Sequence, residues 1–227
     1  MAIDALELQA TGAWYEANVS FEAGLARTRW WAFPLLGGIA RFAVCIPHFI
    51  ILIVLALLFT PAYGLGTAGT PWGGLGLMFL IVWFPVLFGG LMPSWAYGLA
   101  GGYLRWSNRV AAFVLGLTDV YPPFTMHLAT HPVEVTISMP GRNNRWWAFP
   151  LLGFYIKLIV LLPHWLCIAG IGVAAMFLYF TMWIPVLITG RYPQAPYGLM
   201  CGWLRWILRV SAYQGGLTDK YPPFSLR

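Results

Sequence analysis

Acidic side chains are the scarcest chemistry in this sequence, with seven Asp and Glu among 227 residues and all charged residues together at 9%. A soluble domain carries about 25%, so this chain cannot cover a soluble surface with charge. So few carboxylates also leave no paired-carboxylate centre for acid–base catalysis. Glycine-rich phosphate loops and Ser/His/Asp arrangements are absent. The three cysteines, Cys45, Cys167 and Cys201, are an odd number without metal-ligand spacing. Cys45 and Cys167 sit in apolar runs and read as small buried hydrophobes, and no disulfide framework follows. The opening MAIDALELQATGAWYEANV contains acids and no basic leading region, so it is not read as a secretory signal. The expectation is a non-enzyme without cofactor or metal. Nucleic acid is not expected as a partner despite the net charge of +6, because the basic residues cluster at the ends of apolar segments.

What is abundant points to lipid. Hydrophobic residues make up 60%, aromatics 17% with 13 Trp, and the mean hydropathy is +0.72. Tryptophan settles at membrane–water boundaries, and the composition reads as an integral membrane protein.

The chain also repeats itself in order. RWWAFPLLG occurs at Arg29–Gly37 and Arg145–Gly153, WFPVLFGG at Trp83 returns as WIPVLITG at Trp183, GYLRW at Gly102 as GWLRW at Gly202, and GLTDVYPPF at Gly116 as GLTDKYPPF at Gly216. Matched blocks lie 116 residues apart at first and 100 apart later, which puts a 16-residue insertion in copy one. Such order marks an internal duplication. The expected organisation is an N-terminal segment 1–14, a first repeat 15–124 and a second repeat 125–227.

Each copy opens on an alternating segment, Tyr15–Phe21 and His131–Ile137, which predicts two short strands able to pair. In copy one, Leu35 to Leu58 predicts a span bent at Pro47. The uncharged stretch Pro61–Gly74 predicts a loop, and Leu75 to Gly90 a second span. Copy two predicts spans Ala148–Ala169 and Val173–Gly190, with a tight turn near Gly170 and Gly172. A third helix-length segment follows in each copy, with arginines four apart on one face: Arg105 and Arg109, then Arg205 and Arg209. A charge at the bilayer centre costs at least ~2.5 kcal/mol, so these helices are expected to lie in the interface. They stop at YPPF.

Of 13 Lys and Arg, only Arg41 and Lys157 fall within the spans, and neither hairpin loop has any. The positive-inside rule then places both termini in the cytoplasm and makes the copies parallel repeats. The fold expected is an all-α membrane protein of two parallel repeats. Each is a transmembrane helical hairpin plus an in-plane amphipathic helix, preceded by a short cytoplasmic β-strand.

Arg41 with His48, and Lys157 with His164, repeat a seven-residue spacing within spans. Each pair shares a helix face about 10 Å apart, and an ionisable residue in a span marks a candidate site. No acid lies in any span. Arg41 and Lys157 read as snorkelling to the interface, onto lipid phosphate, or as a small-anion site between the repeats. His48 and His164 read as bonding carbonyls freed by Pro47 and Pro163, or as ligands of a haem or chlorin pigment. Arg105, Arg109, Arg205 and Arg209 suit anionic headgroups or local pairing with Asp119 and Asp219. His127 and His131 read as solvated.

The blocks Arg29–Trp30, Ile46–Pro47–His48, Trp83–Phe84, Leu104–Trp106 with Arg109–Val110, and those from Leu117 and Tyr121 resemble a family of bacterial, largely actinobacterial, integral membrane proteins of unknown function. Copy two is closer, with TGRYP at Thr189–Pro193 where copy one has GGLMP. The resemblance implies a membrane location and a duplicated architecture, and supplies no activity. The function expected is a non-enzymatic accessory or scaffold subunit of the bacterial plasma (inner) membrane, multi-pass. It would pack against larger membrane-protein partners and bind membrane lipids with anionic headgroups. The alternatives are a transporter or channel component with its pathway between the repeats, and a haem- or pigment-binding subunit.

Overall fold

A computed structural model of the chain describes residues 15–21, 24–29, 33, 36–59, 84–139, 142–148 and 152–227. The N-terminal segment 1–14, the Pro61–Gly74 loop and most of the second span of copy one lie outside the described residues.

The described residues are mainly helical, with a small two-stranded sheet. Its elements are β1 (Ala17–Phe21), α1 (Leu36–Val44), α2 (Ile46–Phe59), α3 (Ser94–Val114), β2 (Val133–Ile137), a 3₁₀ turn (Arg145–Ala148), α4 (Leu152–Val160), α5 (Leu162–Thr181), α6 (Trp183–Thr189) and α7 (Gln194–Gln214). A further helical stretch covers 84–89. The bounds of α1 and α4, and of α3 and α7, coincide once the offset between the copies is removed.

The two strands pair antiparallel, as their alternation predicts, with Val19 opposite Val135 and Ala17 opposite Ile137. Val19 and Val135 hold the same place in the two copies, so the ladder is centred on a pair of equivalent residues. Ala17, Val19, Val133, Val135 and Ile137 form its buried face, which alternates with the outward Glu134 and Thr136 as a pleat requires. β1 packs on α7 and β2 on α3, while α7 contacts α4 and α5 and α3 contacts α1 and α2. Helices α3 and α7 therefore form a middle layer between the sheet and the apolar helices. Each strand lies on the long helix of the other copy, so the halves are interleaved.

The apolar helices differ from expectation in one respect. Copy one breaks at Cys45, where α1 and α2 meet at a 51° bend. Pro47 occupies the first turn of α2, where a missing N–H costs nothing. In copy two no turn forms at Gly170 and Gly172, and α5 runs through both. With apolar residues on either side, the helix keeps every backbone group bonded, and a helical glycine costs only about 1 kcal/mol. Gly172 instead makes room for a neighbour: a Cβ there would lie 3.2 Å from Cζ2 of Trp203, whose indole donates to Ile168 O at 3.0 Å. Leu162–Thr189 becomes a single helix of 28 residues, long and apolar enough to cross a membrane, and the bent pair Leu36–Val44 and Ile46–Ala56 passes the same test together. The hairpin expected in copy two, and the even number of crossings inferred from it, are not found.

Candidate functional site

The repeated motifs, distant in sequence, converge on two equivalent polar clusters. GLTD shows why those letters recur. Gly116 and Gly216 end α3 and α7 with φ of 73° and 72°, a left-handed position open to glycine at little cost. Leu117 and Leu217 are fully buried. The Thr118 and Thr218 hydroxyls accept the N–H groups of Val120 and Lys220, both at 3.1 Å. That turn directs Asp119 and Asp219 back toward the apolar helices.

There the aspartates meet the cations. Arg41 donates to Phe113 O and Thr118 O, both at 2.7 Å, and pairs with the Asp119 carboxylate. Its guanidinium also lies 4.9 Å from the Phe113 ring centroid. Lys157 donates to Tyr213 O at 3.0 Å, stands 3.7 Å from Asp219, and lies 4.8 Å from the Tyr213 ring centroid. Arg41 is 3% and Lys157 1% exposed. A charge so buried is tolerable only when paired and hydrogen-bonded. The acids that partner them come from outside the spans, which is why a search within the spans missed them. Each aspartate also accepts a backbone N–H from the leading segment of its own copy, Thr28 at 2.7 Å for Asp119 and Asn144 for Asp219.

Seven residues further along, Trp106 donates its indole N–H to His48 Nδ1, and Trp206 to His164 Nδ1, both at 2.9 Å. Phe124 and Phe224 stack on the imidazoles with centroids 3.8 Å away. Tyr121 caps Val44 O at 3.2 Å and Tyr221 caps Val160 O at 3.1 Å, satisfying carbonyls at the helix breaks. The YPPF block thus closes each cluster. Both histidines are fully buried. Their Nδ1 atoms accept, so the protons sit on Nε2, which has no hydrogen-bond partner among the described residues. The prolines' freed carbonyls are not their partners. A metal ligand needs a free ring lone pair, and here one nitrogen is engaged by indole and the other carries hydrogen. Among the described residues no group of three or more His, Cys, Asp or Glu could hold a metal.

The arginine pairs of α3 and α7 turn onto the protein's own backbone. Arg105 donates to Val135 O at 3.0 Å and Arg205 to Val19 O at 3.2 Å, tying each helix to its strand. Arg109 donates to His127 O at 3.1 Å and Arg209 to Ser225 O at 3.5 Å, holding the chain after YPPF. Arg109 and Arg209 have no exposed surface. Burial lowers the Arg209 guanidinium to about 10, with Arg205 acting in the same direction, which leaves it charged at neutral pH. Asp119 and Asp219 serve Arg41 and Lys157 instead. His127 is exposed, but His131 is buried, contrary to its reading as solvated: it stands where copy one has Tyr15. The His131 ring reaches Val120 O at 3.4 Å, as the Tyr15 hydroxyl reaches Lys220 O at 2.7 Å.

Between the halves lies a cavity of about 40 Å³, lined by Arg41 and Gly38 from one side and Tyr179 and Trp183 from the other. It has room for water rather than an organic ligand. The clusters are suited to holding helices at fixed angles in apolar surroundings. Trp106, Trp206, Tyr121, Phe124 and the two aspartates belong to them, and only their recurrence in both copies could have flagged them.

A family model described as a domain of unknown function, DUF4389, matches residues 73–126 and 152–225, together more than half of the chain. Its two segments fit a duplicated domain. No curated protein matches the chain, and no solved structure does.

Proposed function

The chain belongs to the DUF4389 family, and we propose that it is a non-enzymatic integral membrane subunit, an accessory or scaffold that packs against larger membrane-protein partners. One observation carries this reading: its apolar helices are inside out. Leu36 is 70%, Leu166 74%, Val173 73% and Phe177 67% exposed, whereas Arg41, His48, Lys157 and His164 on the same helices are at most 3% exposed. Within Leu162–Thr189 only 11% of the most apolar window is buried, while the core helix of a soluble protein would be mostly buried. Apolar surface on this scale calls for lipid or partner helices.

The buried polar groups support structural rather than chemical work. Arg41 and Lys157 are engaged by residues of the LTD blocks, and the histidines by those of LRW and YPPF. The exposed basic residues outside the helices suit contact with anionic lipid headgroups.

The test is gentle purification from native membranes followed by mass spectrometry. Partner proteins retained in fixed stoichiometry would support the reading and name the complex. A protein that is always extracted alone as a monomer would sink it.

A further inference from the structure

With Arg105, Arg109, Arg205 and Arg209 turned inward, exposed basic residues near the apolar helices include those of the leading segments of the two copies and Arg191. Arg142, Asn144, Arg145, Trp146 and Asp219 line an open cleft of about 410 Å³. Its floor is built, not loose. Asn143 is buried; its N–H donates to Gly90 O at 2.8 Å and its side-chain oxygen accepts Met92 N–H at 3.0 Å. Gly90 ends the 84–89 helix with φ of 73°. A Cβ at Gly90 would stand 3.4 Å from Arg142 Nε and 3.5 Å from Arg145 Nε, so both guanidiniums gather over one glycine. Neither has an ion pair or hydrogen-bond acceptor among the described residues. Asp219 on the same wall is already matched by Lys157 and the Asn144 N–H, so the cleft keeps the charge of its two arginines. Trp146, 82% exposed, stands beside them.

The other half meets the same specification by a different route. Arg29 holds the position equivalent to Arg145, with its Nε 3.5 Å from the Cβ position of Gly190, which also has positive φ, 70°. Copy one has Ala26 where copy two has Arg142, yet Arg191 follows Gly190 directly, where the first helix end has Leu91. Each helix-ending glycine thus has one arginine of the RWW block over it and a second arginine supplied from an unrelated position, Arg142 in space at Gly90 and Arg191 next in the chain at Gly190. Packing alone does not require that coincidence, whereas a phosphodiester, whose charge is shared by two free oxygens, offers an acceptor to each of two guanidiniums.

We propose that each of these places binds the phosphate group of an anionic phospholipid, with Arg142 and Arg145 at one and Arg29 and Arg191 at the other. Paired guanidinium forks match phosphate oxygens, and an exposed tryptophan beside them suits the headgroup level of a bilayer. The inference rests on the membrane reading but not on partner proteins.

Native mass spectrometry of the full chain in neutral detergent, with equal phosphatidylglycerol and phosphatidylcholine, tests it. The expected result is two retained phosphatidylglycerol molecules. R142Q/R145Q should keep one, R29Q/R191Q one, and the quadruple variant none. Each single change should weaken retention about fivefold, and the exposed Arg227→Gln should have no effect. Equal retention of both lipids, or two phosphatidylglycerols on R142Q/R145Q, would overturn the site. Displacement of the lipid by tens of millimolar inorganic phosphate would overturn the lipid assignment in favour of a free anion. Partners found in native membranes without any lipid preference would reject this site while leaving the scaffold reading intact.

Discussion

The Trp106 indole donates to His48 Nδ1 at 2.9 Å, and the same bond recurs at 2.9 Å between Trp206 and His164. An imidazole that accepts in this way is held neutral in one tautomer, sandwiched against the Phe124 ring. Trp106→Phe keeps an aromatic body and removes the donor, leaving a buried nitrogen without a partner. A cost of about 1–3 kcal/mol is expected, read as a fall in Tm of the detergent-solubilised protein. For a chain of this size each kcal/mol corresponds to about 2–4 °C. Trp206→Phe should behave alike, and an unchanged Tm in both variants would refute the assigned role.

The ion pairs should show an asymmetry between their members. Arg41 is 3% and Asp119 23% exposed, so stranding the arginine is worse than stranding the acid. Asp119→Asn is expected to cost about 3 kcal/mol, the low end for breaking a buried pair, and Arg41→Met less. The double variant R41M/D119N should be more stable than the sum of the single losses implies. Strict additivity in that cycle, measured by chemical unfolding, would show that the two groups do not interact.

Arg41 and Lys157 also show what could be read from sequence alone and what could not. The repeated spacing to His48 and His164 singled out all four residues, and the alternation at Val133, Val135 and Ile137 gave the second strand its buried face. Their partners were illegible because Asp119 and Asp219 lie far along the chain, past a helix end whose direction depends on the left-handed Gly116 and Gly216. The false turn at Gly170 and Gly172 has another cause. Glycine signals either a bend or a close approach, and only the position of the Trp203 ring decides between them. Arg105 and Arg205 looked like headgroup ligands because a helical pattern says which residues share a face, not whether a strand lies over it.

His131 supplies a pH test outside the spans. Its Nδ1 accepts the Val133 N–H at 3.1 Å and the ring reaches Val120 O at 3.4 Å, an arrangement for the neutral ring. Burial lowers its affinity for protons, its two backbone carbonyl contacts oppose that shift, and Arg109 adds to it. The folded state therefore binds fewer protons than the unfolded chain. The contribution to stability is present above an ordinary histidine pKa of about 6.5 and is lost as pH falls below it. His131→Tyr places in copy two the residue that copy one has at Tyr15 and removes this titration. The variant's Tm should fall less between pH 8 and 5 than that of the native chain. Parallel pH profiles would rule out His131 as a contributor.

Four glycines of α3 and α7 separate conformational cost from packing. Gly98 and Gly198 have nothing within 4 Å of a Cβ position, so alanine there should add stability of about 0.5–1 kcal/mol by restricting the unfolded chain. At Gly102 a Cβ would lie 2.6 Å from Met126 Cβ and 3.1 Å from Met126 O; at Gly202 it would lie 2.5 Å from Leu226 O. Alanine at these two positions should destabilise by about 1–3 kcal/mol, as overpacking does. The clash at Gly102 meets both the backbone and the side chain of Met126, and that at Gly202 both those of Leu226. Displacing Leu226 would also stretch the 3.0 Å bond from Arg205 to Leu226 O, which adds to the loss expected of Gly202→Ala. If Gly102→Ala and Gly98→Ala shift Tm in the same direction, the chain after YPPF does not pack on α3 as described.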